Sequence, residues 1–219
     1  MYLSDKAQKV LDILGKEYPD AKIALNFKTP LELLIATILS AQCTDERVNK
    51  TTPALFKRYK KAQDYADTDI KELEGYISSI NFLRKKAKNI KSCCKKIADE
   101  FGGKIPDTLE QLIALPGIGR KTANIVLANA FGKDAIAVDT HVKRVANRIG
   151  LASSQDPDRI EEGLCRIILK KRWTKATNLF ILHGRTICTA KNPQHEICKA
   201  RNYCDYYASI KPQTTSKNS

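Results

Sequence analysis

Leu115-Pro116-Gly117-Ile118-Gly119-Arg120-Lys121-Thr122 decides how the rest of this chain is read. It lies between a helix expected to end near Ala114 and another expected over 121–131, the pattern of a helix-hairpin-helix. Gly117 and Gly119 let the backbone turn tightly and come close to a partner, and the amides opening the next helix favour an anion such as a phosphate. Contacts of that kind place a protein on a nucleic acid without reading its sequence. A glycine-rich turn with no ligand has the same composition, so the surrounding residues carry the decision.

Working outward, spacings of three and four recur and no stretch alternates for long, which makes the fold class all-α. Thr29-Pro30-Leu31-Glu32 forms a capping box with proline at the first helical position, and the helix expected over 31–41 is apolar nearly all round, hence central. Asp69-Ile70-Lys71-Glu72 and Asp107-Thr108-Leu109-Glu110 mark further starts, and Gly102-Gly103, Gly132 and Gly150 mark stops. Helices are also expected within 6–18, 48–59, 83–100, 141–149, 159–169 and 175–187. The tail 211–219 lacks the apolar residues needed to fold and is expected to be disordered.

The 219 residues, 42% of them hydrophobic, can bury one large core or two smaller ones, and the excess of 38 Lys and Arg over 24 Asp and Glu points to a polyanionic partner. Charges within the first turn, no signal-peptide core and no long apolar run imply an intracellular, cytoplasmic protein without membrane association. In that compartment the seven cysteines are expected as metal ligands or buried thiols, since an odd number cannot pair completely.

Lys121 falls in the first turn of the second hairpin helix, where the helix dipole disfavours a positive charge and any burial would add to the effect. A lysine so placed can act as a neutral nucleophile: an amine attacking a sugar carbon yields a Schiff base, and the adjacent carbon then becomes acidic enough to eliminate a 3′ phosphate. Ala137-Val138-Asp139-Thr140-His141-Val142 ends an apolar run in an aspartate just before a helix. Asp139 can be an N-cap, or a carboxylate that deprotonates the lysine and stabilises cationic character on the sugar, and the two roles are compatible. Arg144 and Arg148, four apart, face one way towards phosphates or solvent.

Glu32-Leu33-Leu34 through Ser40-Ala41-Gln42-Cys43-Thr44-Asp45, Leu115 to Asn124, Val138 to Val142 and the C-terminal cysteines together resemble the endonuclease III family of helix-hairpin-helix DNA glycosylases over nearly the whole chain. The resemblance implies two helical domains, a six-helix barrel at 23–133 carrying the hairpin and a second domain built from 1–22 with 134–210, with DNA lying across the cleft between them. It implies base-excision repair of duplex DNA: an N-glycosylase for oxidised pyrimidines that is also an abasic-site lyase, acting through Lys121 and Asp139 on a nucleotide flipped out of the stack; a monomer is the default expectation. Gln42 and Phe82 match the positions that fill the vacated space. Gly117, Gly119, Arg120, His141 and Arg144 would be further DNA contacts, and the hairpin carbonyls would hold a monovalent cation.

Phe82 by itself also fits a core aromatic, while Arg84, Lys85, Lys86 and Lys88 around it favour a DNA-facing loop. A monofunctional adenine glycosylase would lack the lysine and carry a glutamate where this chain reads Ile38-Leu39-Ser40-Ala41. A non-catalytic hairpin module would need neither Lys121 nor Asp139.

In the family the last motif is Cys-x6-Cys-x2-Cys-x5-Cys around a 4Fe-4S cluster; here the spacing is kept as Cys188, His195, Cys198 and Cys204, with histidine as the second donor. The resemblance implies a cluster with Cys3His ligation. Three thiolates and an imidazole are also a common structural zinc set, and a cluster left incomplete because His195 does not ligate is the third alternative. Cys43, Cys93, Cys94 and Cys165 fit buried small side chains.

Overall fold

The computed structural model describes residues 1–210, so the tail expected at 211–219 lies outside the described residues. Among the described residues there is no strand. The α-helices are α1 (Leu3–Glu17), α2 (Pro30–Ser40), α3 (Asp45–Arg58), α4 (Ala62–Asp67), α5 (Ile70–Tyr76), α6 (Leu83–Phe101), α7 (Leu109–Ile113), α8 (Arg120–Ala130), α9 (Thr140–Ile149), α10 (Pro157–Ile167), α11 (Trp173–Thr186) and α12 (Asp205–Ile210). Two units divide the chain, Ile23–Ala135 and Met1–Lys22 with Ile136 onward. Ala135 packs into the first core and Ile136 into the second, which puts the division at that peptide and not at Lys133.

The Ile23–Ala135 unit is built around α2. The Thr29 hydroxyl accepts the Glu32 N–H at 3.2 Å, the Glu32 carboxylate accepts the Lys28 N–H at 2.6 Å, and Pro30 opens the helix. Residues Leu33 to Leu39 are all buried, each Leu or Ile among them contributing about 1.5–3 kcal/mol. Helices α3, α6 and α8 pack on it. Helix α6 buries the stripe Lys86, Ala87, Ile90, Cys93, Cys94 and Ile97.

Helix α4, which the sequence pattern does not announce, packs on α6 and turns Tyr65 inward against Tyr59, with ring centroids 4.8 Å apart. The Asp64 carboxylate fixes its start by accepting the N–H groups of Lys60 at 2.7 Å and Lys61 at 2.9 Å.

In the other unit, α1 buries Ala7, Val10, Leu11 and Leu14, a helical stripe that packs on α10 and α11. Lys6 pairs with Asp205 at 2.6 Å and Arg172 with Asp12 at 2.8 Å, which ties α1 to α12 and to the turn before α11. Helix α9 buries Val142, Val145, Ala146 and Ile149 and lies so close to α11 that a Cβ at Gly184 would meet the His141 Cβ at 3.0 Å. Helix α12 was also not expected from the sequence. No described helix is long and apolar enough to cross a membrane.

Candidate active site and cysteine loop

The hairpin occupies α7, the turn 114–119 and α8. The Thr108 hydroxyl caps α7 by accepting the Gln111 N–H at 3.3 Å, and Leu115 and Ile118 anchor the turn in the core. Gly117 has φ 78°, and a Cβ there would lie 2.8 Å from the Asn89 Nδ2, so both backbone and packing demand glycine. Gly119 differs: its φ is −96° and nothing stands within 4 Å of a Cβ. Its value is the open approach it leaves to the start of α8. That helix has no side-chain cap and no acid in its first turn, an arrangement suited to an incoming anion. Arg120 and Lys121 follow at once, both exposed. Lys121 stands exposed at the positive end of α8.

In the same unit Gln42 and Phe82 are exposed, Phe82 by 63%, which excludes the core alternative for that ring. Both have a left-handed backbone, φ 53° and 58°, and the Asn81 side-chain amide donates to the Gln42 carbonyl at 2.9 Å. The basic run after Phe82 is not a loop but the first turns of α6. Arg84, Lys85 and Lys88 are exposed on it, whereas Lys86 is 5% exposed and turned inward.

Asp139, in the other unit, is the N-cap of α9 and its Oδ1 accepts the N–H groups of His141 and Val142, both at 2.8 Å. It is half-buried. Burial lowers the pKa of His141; the Asp139 charge opposes that shift and Arg144 adds to it. Arg144 donates to the carbonyls of Cys188 at 3.0 Å and Gly184 at 2.7 Å. Arg148 donates to those of Thr189 at 2.6 Å and Ala190 at 2.9 Å and reaches the Cys188 Sγ at 3.4 Å. Both guanidiniums thus meet backbone carbonyls of the loop after α11, partners that the sequence did not offer.

Cys188, His195, Cys198 and Cys204 line one narrow cleft, together with Ile149 and His183. The His195 Nε2 is enclosed there with no hydrogen-bond partner, and the ring centroid lies 5.7 Å from that of Tyr206 and 5.2 Å from that of Tyr207. The Tyr207 N–H points at the Cys204 Sγ at 3.5 Å. Burial pushes the thiols of Cys198 and Cys204 up, a cost that a positive centre between them would reverse. Among the described residues no three such side chains converge as a single ion requires. Of the remaining cysteines, Cys93 and Cys94 are buried and Cys43 and Cys165 half-buried.

Residues 35–170 match the model of the HhH-GPD superfamily base excision DNA repair protein. Endonuclease III of Synechocystis sp. (strain PCC 6803) is 50% identical over 200 residues, 91% of each chain. The chain belongs to the endonuclease III family. Its fold superposes with a TM-score of 0.90 on a trapped endonuclease III–DNA covalent intermediate, 41% identical and covering 95% of this chain and 99% of that one. A non-covalent endonuclease III–DNA complex gives the same TM-score and identity, covering 95% and 98%.

Within this endonuclease III architecture each unit gathers its own share of the candidate residues. The first brings Lys121 and Arg120 to the α8 N-terminus and links Gln42 to the Phe82 segment. The second joins Asp139, His141, Arg144 and the cysteine loop through α9. Sequence reasoning missed Asn89 and His183 and grouped the inward-turned Lys86 with its DNA-facing neighbours. His183 is 3% exposed, burial pushes its pKa down to about 4, its Nδ1 meets the Tyr18 hydroxyl at 3.2 Å and its Nε2 lies 3.7 Å from the Cys198 Sγ. It falls on the apolar stripe with Ala176, Leu179 and Phe180, so a polar residue on a buried stripe was the available signal.

Proposed function

We propose that this protein is a bifunctional DNA N-glycosylase and abasic-site lyase that removes oxidised pyrimidines from duplex DNA. The observation that carries this reading is the exposed Lys121 in the first turn of α8, behind a glycine hairpin whose helix start has no side-chain cap. Membership of the endonuclease III family, with a relative caught as a covalent intermediate on DNA, supports it. The net charge of +14 suits a phosphate-rich partner.

In the proposed reaction the Lys121 Nζ lone pair attacks the sugar carbon that bears the damaged base. The bond from that carbon to the base breaks, and the base departs with the bonding pair and picks up a proton. The amine-bearing sugar opens to a Schiff base; loss of a proton from the adjacent carbon then expels the 3′ phosphate. The Asp139 carboxylate, oriented by its two cap bonds, takes the lysine's proton and stabilises positive charge on the sugar. The hairpin, with Arg120, holds the strand by its phosphates, while Gln42 and Phe82 occupy the space left by the flipped nucleotide.

Cys188, His195, Cys198 and Cys204 are assigned to a 4Fe-4S cluster with Cys3His ligation. The enclosed, partnerless His195 Nε2 on a cleft that the three cysteines also line supports that donor set, and the spacing kept from the family favours the cluster over zinc. When bound, such a cluster supplies a tie across the loop and a one-electron centre.

Borohydride should trap wild-type protein covalently on DNA containing an abasic site or thymine glycol, and Lys121→Ala should not be trapped. Equal trapping of the two would remove Lys121 from the chemistry. Asp139→Asn should bind damaged DNA normally while base release slows about 10²- to 10⁴-fold. Full turnover of that variant would leave Asp139 as a helix cap only.

A further inference from the structure

Gln42 and Phe82 are the only non-glycine residues with positive φ among the described residues. An L side chain resists that conformation, and such strain persists where the surroundings over-determine it. They also lie on separate segments, one after α2 and one at the N-cap of α6. Something must hold each of them.

Lys86 bonds to both segments. Helix α2 has no basic residue in its last turn and ends with carbonyls that need donors. The Lys86 ammonium reaches across from α6 and donates to the Leu39 carbonyl at 2.7 Å and the Ala41 carbonyl at 2.6 Å. An ammonium at 5% exposure is costly unless acceptors replace its water, and two carbonyls at a helix C-terminus do so. Burial lowers the Lys86 pKa, with Cys43 opposing. The backbone N–H of the same residue donates to the Phe82 carbonyl at 3.1 Å. Asn81, on the other side of Phe82, donates to the Gln42 carbonyl. Residues 81–86 therefore straddle Phe82 and grip 39–42 at three carbonyls.

We propose that Lys86, assisted by Asn81, is a positioning residue that locks Gln42 and Phe82 into one preformed wedge, so that the strained geometry is set during folding and not at each encounter with DNA. This rests on the glycosylase reading. Lys86 acts through the two exposed residues and not on the reacting atoms.

The test uses full-length Lys86→Met, Lys86→Arg and Asn81→Ala with two substrates, a duplex bearing thymine glycol and a single-stranded abasic oligonucleotide in which no base need be extruded. Thermal melts establish folding, and 2-aminopurine opposite the lesion reports opening of the stack. Lys86→Met and Asn81→Ala should lose about 10- to 100-fold in single-turnover rate on the duplex, with a matching delay in the 2-aminopurine signal, yet stay within about twofold of wild type in borohydride trapping on the single strand. Lys86→Arg should recover part of the duplex rate. Equal losses on both substrates, or no loss on the duplex, overturn the proposal. If Lys86→Met does not fold, Asn81→Ala and Lys86→Arg decide by the same criteria. Wild type and Phe82→Ala separate the two levels: no trapping by wild type removes the glycosylase reading itself, whereas a slow Phe82→Ala beside a normal Asn81→Ala and Lys86→Met removes only the brace.

Discussion

Leu33 to Leu39 in α2 and residues 189–199 of the cysteine loop show two ways of ordering a chain. In α2 every residue of the run is buried and the helix would be held by packing whatever else the protein bound. In the loop no residue from 189 to 199 is buried, and only Cys188 and Ala200 at its ends are. Its order comes from outside: the carbonyls of Cys188, Thr189 and Ala190 are taken by Arg144 and Arg148 of α9, and its thiols and His195 face one cleft. A segment without a core has to be stitched from its neighbours and, on the proposed function, from a cluster.

The contrast breaks most severely at the ligands. On the proposed function Cys198→Ser should lose bound iron and sulfide and leave amides 187–204 open to hydrogen exchange, while amides of Ile23–Ala135 stay protected. Protection lost equally in both units would mean that the two regions are not held separately. Next, Leu34→Ala should cost about 2–5 kcal/mol in the first unit by chemical denaturation, with the visible chromophore intact. Bleaching in parallel with that unfolding would erase the distinction from the other side.

Arg148→Ala removes donors from two loop carbonyls and should cost about 1.5–3 kcal/mol, read as faster loss of the cluster to a chelator, with Arg148→Lys only partly restoring it. The smallest effect belongs to Asp64, whose carboxylate is held below its ordinary pKa by the N–H groups of Lys61 and Lys60. A depressed acid stabilises the fold above its unfolded pKa and ceases to do so as pH falls through its folded one. Asp64→Ala should therefore cost about 1 kcal/mol near neutrality, and the gap should close below about pH 4. A constant gap across that range would show that packing, not the charge-assisted cap, sets the cost.

The same contrast explains what was legible in the sequence. Thr29, Asp69 and Thr108 announce helices because capping is local, acting over two or three residues. The apolar period of α2 and the glycines of the hairpin are local too. Helix α4 escaped because it is short and its start is set by Asp64 reaching back from inside it. Lys86 was misread with its charged neighbours, although its spacing from Ile90, Cys93 and Ile97 puts it on the buried stripe of α6. The Arg148 and Arg144 bonds span about forty residues of sequence and leave no periodic trace. At the candidate site, Lys121 and Asp139, which the proposed function makes the reacting residues, stand in motifs that a sequence displays, whereas residues proposed to orient others, such as Lys86, stand in none.

One consequence reaches into protein engineering. Relaxing the left-handed positions 42 and 82 to glycine or asparagine should be worth about 1–2 kcal/mol each to the free protein, so a library sorted only for heat resistance would enrich those changes early. On the proposed function the winners of such a selection would be sturdier molecules with a blunted probe, and a thermostabilisation campaign on this scaffold should hold both positions fixed from the first round.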